Sequence, residues 1–311
     1  METCTKLLSV DLSTISAYNK PTVKIGDKMI LVDFSGVCIA SIVMHKELDE
    51  DLARHMVLNS LRLYNTKFKK DYGDMVLACD GPDNWRRGYF PQYKAARRSS
   101  RTQSSFDWGR VFEILNTIRD EIQENFPYKL VQEDGCEADD VIGTLVERSQ
   151  ELGNYEPIMI VSADGDFKQL QKYDNVRQFS PLHKKEVVEK NPRLHLQEKI
   201  LKGDTGDGVP NVLSNDDTFV EGIRQTPLRK KKIEEILADL SDGELLYAAS
   251  WYRNYQRNET LIDLSKTPKH LKQSIINNFE GQDPWRNKGK VFPYLVSKRM
   301  NQLIESVQEF I

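Results

Sequence analysis

The chain has 311 residues, 39% of them hydrophobic and 29% charged, with a formal net charge of −3. That is enough apolar material for a sizeable core in one large or two modest domains. Four scattered cysteines (Cys4, Cys38, Cys79, Cys136) with no C-x-x-C pair and no histidine at zinc-ligand spacing argue against a disulfide framework or structural zinc. With no basic-then-apolar leader and no apolar run approaching ~18 residues, a soluble cytoplasmic protein is expected.

The stretch before Lys24 is polar and irregular and reads as an N-terminal extension, residues 1–27. From there strands and helices alternate. Short apolar runs at Met29–Val32, Met75–Cys79, Tyr128–Val131 and Pro157–Val161 predict four strands. Helical apolar spacing covers 49–68 and 108–122, and a third helix should run from Glu137 to Gly153 with Asp139 and Asp140 at its positive end. This pattern predicts an α/β domain with a mostly parallel central sheet flanked by helices, over 28–190. Beyond about residue 190 the strand signals fade. Helices are expected at 228–240, 242–257 and 294–309, making 191–311 a helical C-terminal domain.

The small net charge hides a separation of sign. Residues 84–106 hold six cations (Arg86, Arg87, Lys94, Arg97, Arg98, Arg101) and no acid, whereas 133–140 hold five acids and no base. The acids fall at strand ends. Asp33 closes the first strand and Asp80 the second; Glu137, Asp139 and Asp140 follow the third, and Asp164 and Asp166 the fourth. In an open α/β sheet, side chains just beyond the strand C-termini converge on one crevice. Carboxylates that close resist joint ionisation unless cations compensate them. With no histidine or cysteine at ligand spacing, the donor set is all oxygen and suits Mg²⁺, with Mn²⁺ as a substitute. Two such ions, ~3.5–4 Å apart, stabilise both the attacking and the leaving oxygen of a phosphodiester displacement. The bland alternative is a set of separate loop and cap acids; Asp140 in particular is explained equally well by capping.

A further acidic pair, Asp204 and Asp207, lies in Lys202-Gly-Asp-Thr-Gly-Asp-Gly-Val-Pro-Asn211. Neither a calcium hand nor a phosphate loop fits that spacing, and read alone the pair is a turn with capping acids. The basic segment interleaves its cations with Trp85, Tyr89, Phe90 and Tyr93. Cations attract phosphates and rings stack on unpaired bases, so this composition predicts a single-strand channel beside the crevice rather than a solvated loop.

Together these strings resemble the flap-endonuclease superfamily of 5′-nucleases over about residues 28–311. They are Leu31-Val-Asp-Phe-Ser35, Trp85-Arg-Arg87, Tyr93-Lys-Ala-Ala-Arg97, Glu137-Ala-Asp-Asp140, Ser162-Ala-Asp-Gly-Asp-Phe167 and Leu201-Lys-Gly-Asp204. The surroundings of Trp85 and the string Ser180-Pro-Leu-His-Lys-Lys185 look most like the phage ribonuclease H members. The resemblance implies a PIN-like core with a basic arch over about 84–106. Its two Mg²⁺ ions would be held by Asp33, Asp80, Glu137, Asp139, Asp164 and Asp166, and by Asp204 and Asp207 with Asp139 and Asp166 nearby; Asp140 is a further metal candidate. Lys94 and Arg97 would neutralise the scissile phosphate, and Tyr93 would be a stacking platform. Nucleic acid would be gripped by Arg86, Arg87, Arg98 and Arg101, and by the cluster Arg229, Lys230, Lys231 and Lys232.

The implied substrates are RNA–DNA hybrid and branched duplex DNA with a 5′ end or flap, and the implied task is removal of RNA primers. Implied partners are the replisome's single-stranded-DNA-binding protein or sliding clamp. A PIN-type endoribonuclease and a non-catalytic nucleic-acid scaffold are the rival readings. One departure stands out. The family's Gly-Asp-x-x-Asp-Asn-x-Pro-Gly hairpin has Gly208 in place of Asn and Asn211 in place of Gly here, which puts a helix-hairpin-helix duplex grip and its potassium ion in question.

Overall fold

The computed structural model describes residues 23–43, 49–97, 107–242 and 249–311. The described elements, in chain order, begin with β1 (Met29–Asp33), α1 (Phe34–Val43), α2 (Glu50–Tyr72), β2 (Asp74–Cys79) and α3 (Trp85–Tyr89). Then come α4 (Trp108–Asn125), β3 (Lys129–Gln132), α5 (Ala138–Glu151), β4 (Ile158–Val161), a 3₁₀ turn (Gly165–Lys172), β5 (Val176–Ser180) and β6 (Lys185–Val187). The remaining helices are α6 (Pro192–Lys202), α7 (Lys230–Asp242), α8 (Tyr252–Ile262), α9 (Lys269–Glu280), α10 (Val291–Ser297) and α11 (Asn301–Ile304).

The strands form one six-stranded sheet in the order β3-β2-β1-β4-β5-β6, parallel throughout except for the β5–β6 edge pair. Side chains alternate between faces, and both faces are covered. Ile30, Val32, Leu77 and Val161 point to one side, under α1, α2 and α4; Leu31, Val76, Val131 and Ile160 point to the other, under α5. That two-sided burial is why the strands read as continuous apolar runs rather than as alternating ones.

All four expected strands and the three expected helices of the first half are present. β5 and the edge strand β6 were not expected. Arg177 and Gln178 interrupt the apolar pattern of β5, Gln178 being buried with its amide donating to the Ser162 and Asp164 carbonyls. Lys185 and Glu186 interrupt that of β6, where a sheet edge tolerates exposed charges. Within the N-terminal extension of residues 1–27, the part before Val23 lies outside the described residues. Val23 and Ile25 are buried against the α5 face of the sheet, so those residues belong to the domain core.

The second half departs from expectation in a way that affects domain organisation. Residues 192–262 form a helical lobe with its own small cores, one around Leu201, Val212, Ile236 and Trp251. From Leu264 onward the chain returns to the sheet. Ile275 and Phe279 of α9 join the core beneath α5, and Val291, Leu295, Leu303 and Phe310 join the opposite one. Arg54 is 2% exposed and pairs with Glu50, Asp51 and Glu121, while Tyr294 and Lys298 donate to the same Glu121, tying α10 to α2 and α4. The change at 190–191 is therefore a change of element type and not a separation of cores.

Two expected helices are also redrawn. The one expected over 242–257 starts at Tyr252 and ends at Ile262, with 243–248 outside the described residues. The one over 294–309 is broken into α10, α11 and a terminal 3₁₀ turn, because Arg299 adopts a left-handed φ of 55° between them.

Candidate metal and nucleic-acid site

β1, β2 and β4 lie side by side and parallel, so Asp33, Asp80 and Asp164 emerge together at their C-terminal ends. The N-terminus of α5 brings Glu137 and Asp139 to the same place, and the 3₁₀ turn brings Asp166. A cavity of about 430 Å³ is lined by Asp33, Asp80, Glu137, Asp139, Asp164 and Asp166, and equally by Asp204, Asp207, Lys94 and Arg97. Ten of the residues expected at the site thus face one space. A larger cavity of about 620 Å³ at the opposite end of the sheet contains Lys129, Glu280 and Asp283 but no convergent carboxylate set; the residues expected at the site line the smaller one.

Local bonds hold several acids in place. Asp33 accepts from the Ser162 hydroxyl and the Gly36 amide, both at 2.9 Å. A Cβ at Gly36 would lie 2.4 Å from the Asp33 carboxylate, so only glycine permits this approach. Asp80 accepts from the Ala138 amide in the first turn of α5 at 3.0 Å, and Asp164 caps the 3₁₀ turn through the Asp166 amide at 2.9 Å.

The cluster divides electrostatically into two parts. Burial, together with nearby Asp80 and Asp164, raises Asp33 to a pKa of about 6 against the hydrogen bonds from Gly36 and Ser162. Burial and the charges of Asp164, Asp33 and Glu137 push Asp139 well above the carboxylate range. Among the described residues no lysine or arginine pairs with Asp33, Asp80, Asp139 or Asp164. By contrast, burial at Glu137 is outweighed by Lys94 and Arg86, which hold it below its usual value. Lys94 pairs with Glu137 and lies 3.5 Å from Asp207, Arg97 pairs with Asp207, and Lys199 pairs with Asp166 and lies 3.0 Å from Asp204. Among the described residues no three acids are drawn in around one point as a finished metal cage; these three cations reach in among the carboxylates instead. An all-oxygen, crowded, partly uncompensated set fits hard divalent cations.

Three assignments made from sequence change. Asp140 does not face the cavity. It is fully buried and takes a bidentate pair from Arg86 (2.7 and 2.9 Å), the Thr267 hydroxyl (2.6 Å), the Trp85 indole (3.2 Å) and the Glu137 amide (3.0 Å). Every lone-pair direction is used within the protein, so Asp140 is a structural cap and counter-ion rather than a metal ligand. Arg86, 2% exposed and bound also to the Leu261 carbonyl, is equally withdrawn from nucleic acid. Tyr93 is 3% exposed, with its hydroxyl 2.8 Å from both Glu137 and Asp207, so its ring is no stacking platform. Among the described residues of this segment the exposed ring is Tyr89, and Arg87 and Arg97 are exposed as well. Arg98 and Arg101 lie outside the described residues. Arg229, Lys230 and Lys231 are exposed at the start of α7, and Lys232 is half-buried beside Glu235. Sequence reasoning missed Lys199, five residues before Asp204, because a lysine on an amphipathic helix reads as surface.

The loop after α6 docks on the basic segment: the Lys94 amide donates to the Asp207 carbonyl at 2.7 Å. Gly208 has φ of 72°, and a Cβ there would meet the Gln92 carbonyl at 3.0 Å. Asn211 does not adopt a left-handed φ; it is 6% exposed, with its side chain turned inward to Ser214, the Leu213 amide and the Thr226 carbonyl.

This geometry agrees with family comparisons. The model of the 5′-3′ exonuclease, N-terminal resolvase-like domain, matches residues 44–200, and that of T4 RNase H, C terminal, matches 190–310. The chain is 34% identical over 294 residues to the ribonuclease H of Enterobacteria phage T4, spanning 90% of this chain and 95% of that protein. The chain belongs to the 5′-3′ exonuclease family. As a nuclease of this family it shares its fold with bacteriophage T5 proteins of known structure. A T5 flap endonuclease in a pseudo-enzyme-product complex with DNA and metal ions superposes with a TM-score of 0.60 over 81% of this chain and 98% of that one, at 16% identity. T5 5′-exonuclease with bound zinc gives 0.58 over the same shares, also at 16% identity. Among the described residues of this nuclease no helix is long and apolar enough to cross a membrane.

Proposed function

We propose that the protein hydrolyses phosphodiesters near the 5′ end of RNA–DNA hybrids and of nicked or flapped duplex DNA, using two Mg²⁺ ions, to remove RNA primers during replication. The observation that carries this reading is the single cavity shared by eight carboxylates and the cations Lys94 and Arg97. Asp33, Asp80, Glu137, Asp139, Asp164 and Asp166 would hold the first ion; Asp204 and Asp207, with Asp139 and Asp166 nearby, the second. When bound, the ions supply charge neutralisation and activation of the attacking water. The chain itself supplies orientation: Tyr89 offers a ring to an unpaired base, Arg87 a phosphate contact, and Lys94 and Arg97 the charge at the scissile phosphate. The T4 relative is named for ribonuclease H activity and the T5 neighbour was captured with DNA and metal ions, which favours this reading over a scaffold. Labelled hybrid, flap and nicked substrates, incubated with and without Mg²⁺ and sized, test it directly; no metal-dependent cleavage of any of them would overturn it.

Lys94 carries a specific expectation. Its backbone is left-handed (φ 56°) and its ammonium lies among the acids, where Glu137 and Asp207 outweigh the effect of burial and hold it charged. Lys94→Ala should slow single-turnover cleavage by ~10²–10³-fold, with a much smaller loss of affinity. Normal cleavage with weak binding would make Lys94 a docking residue only.

The hairpin departure also gains a physical account. The Pro210 carbonyl accepts from Arg257 (2.8 Å) and Asn258 (2.9 Å), and those of Val212 and Ser214 accept from Asn254 (2.9 and 3.0 Å). Carbonyls already taken by side-chain donors have less to offer a monovalent cation. Replacing potassium by a bulky organic cation at fixed ionic strength should change activity less than about twofold, while neutralising Arg229–Lys232 should flatten the salt dependence of binding. A sharp potassium requirement would contradict this.

A further inference from the structure

Lys199 stands apart from the other two cations in the crevice. Lys94 and Arg97 belong to the basic segment, which also faces the substrate. Lys199 comes from α6, one turn before the helix ends at Lys202, and α6 is packed into the helical lobe through Ile200 and Leu201. Its ammonium bridges Asp166 and Asp204, which lie on different elements, and its side chain is 19% exposed. Asp204 otherwise receives backbone contacts, from the Asp207 amide at 3.1 Å and from Gly206, in addition to its bridge to Val209.

We propose that Lys199 is the resident counter-cation of the Asp166–Asp204 half of the acid cluster, and that a divalent cation entering this half must displace it. The proposal rests on the reading of Asp166 and Asp204 as metal ligands. Two carboxylates brought together by separate elements repel, and a scaffold-borne ammonium between them holds the pair in register while no metal is present. The same charge opposes an incoming divalent ion. Asp33, Asp80, Asp139 and Asp164 have no such partner among the described residues, so an ion seated mainly on them meets less opposition. The two halves therefore fill in order, with the Asp166–Asp204 half weaker. Lys199 acts through the carboxylates; it is a positioning residue.

The test is a calorimetric Mn²⁺ titration of the full chain without nucleic acid, alongside melting in chelator. Lys199→Met keeps the length of the stem and removes the charge. Removing a unit charge ~4 Å from the seat of a divalent ion at intermediate dielectric should tighten the weaker Mn²⁺ step by at least about tenfold and change the stronger step much less. The same variant should melt lower in chelator and gain more from Mn²⁺ than the natural chain. Lys199→Arg, which restores the charge, should restore the weak step and the chelator melting temperature. Unchanged Mn²⁺ steps in Lys199→Met, or equal weakening of both, would overturn the proposal. Should Lys199→Met fold poorly, Lys199→Gln carries the same expectations. Asp204→Asn in the same titration separates the two ideas. If it binds Mn²⁺ like the natural chain the ligand reading fails, whereas loss of the weaker step there with no change in Lys199→Met removes only the role of Lys199.

Discussion

Asp139→Asn should abolish metal-dependent cleavage, by about three orders of magnitude or more, while leaving nucleic-acid affinity within a few-fold of normal. Asp139 lies in the crevice, where burial and three neighbouring carboxylates already resist its ionisation and no lysine or arginine among the described residues pairs with it. A bound divalent ion would offset that cost. The amide keeps the shape and removes that charge, so the metal loses a ligand and the metal-free fold loses a repulsion. The variant should melt no lower than the natural chain in chelator.

Asp33 extends the argument to pH. Its folded pKa of about 6 lies above the ordinary value of 3.8, so the folded state binds the proton more tightly. A raised carboxylate costs stability above its folded pKa, and that cost disappears as pH falls through 6 toward 4. Asp33→Asn should therefore stabilise the chelated protein at pH 7.5, by at most about 3 kcal/mol, and have little effect near pH 4.5. Wild-type turnover by Asp139→Asn, or a lower melting temperature for either variant in chelator at pH 7.5, would remove these residues from the metal site.

The site was legible because its logic is topological. Parallel strands place their C-terminal ends together, so acids at the ends of three apolar runs had to converge. That argument fixes position along the chain and not direction of the side chain. Asp139 and Asp140 are neighbours at a helix start, yet one faces the cavity and the other the interior, since successive helical residues point ~100° apart. Arg86 and Tyr93 were misread for a related reason. A basic, aromatic segment scores as a nucleic-acid surface whichever way its side chains turn, and here Arg86, Phe90 and Tyr93 turn inward while Arg87, Tyr89 and Arg97 face solvent. Lys199 was illegible because its partners lie 33 and 5 residues away on other elements. The return of residues 264–311 to the sheet left no local sign either, because an amphipathic helix does not record which core its apolar face joins.

The buried pair of Arg86 and Asp140 should carry the largest stability effect in the molecule. It joins three parts of the chain. Arg86 opens the basic segment and binds the Leu261 carbonyl at the end of α8, while Asp140 begins α5 and binds Thr267 after α8. Burial at Asp140 is outweighed by Arg86 and Thr267, which hold the carboxyl below its ordinary value. Removing one member of such a pair leaves a charge buried without a partner, and typical losses are about 3–5 kcal/mol. Asp140→Ala and Arg86→Ala should each lower the unfolding free energy by that amount. The double variant should lose less than the sum of the two, because the second substitution removes the stranded charge. The loss should be the same in Mg²⁺ and in chelator, since neither side chain faces the cavity. This separates Asp140 from its neighbour: Asp139→Asn should weaken Mn²⁺ binding and spare stability, Asp140→Asn the reverse. If Asp140→Asn kept the melting temperature of the natural chain and bound Mn²⁺ as poorly as Asp139→Asn, its carboxylate would be a metal ligand after all, and the inward pair with Arg86 would be only one of its positions.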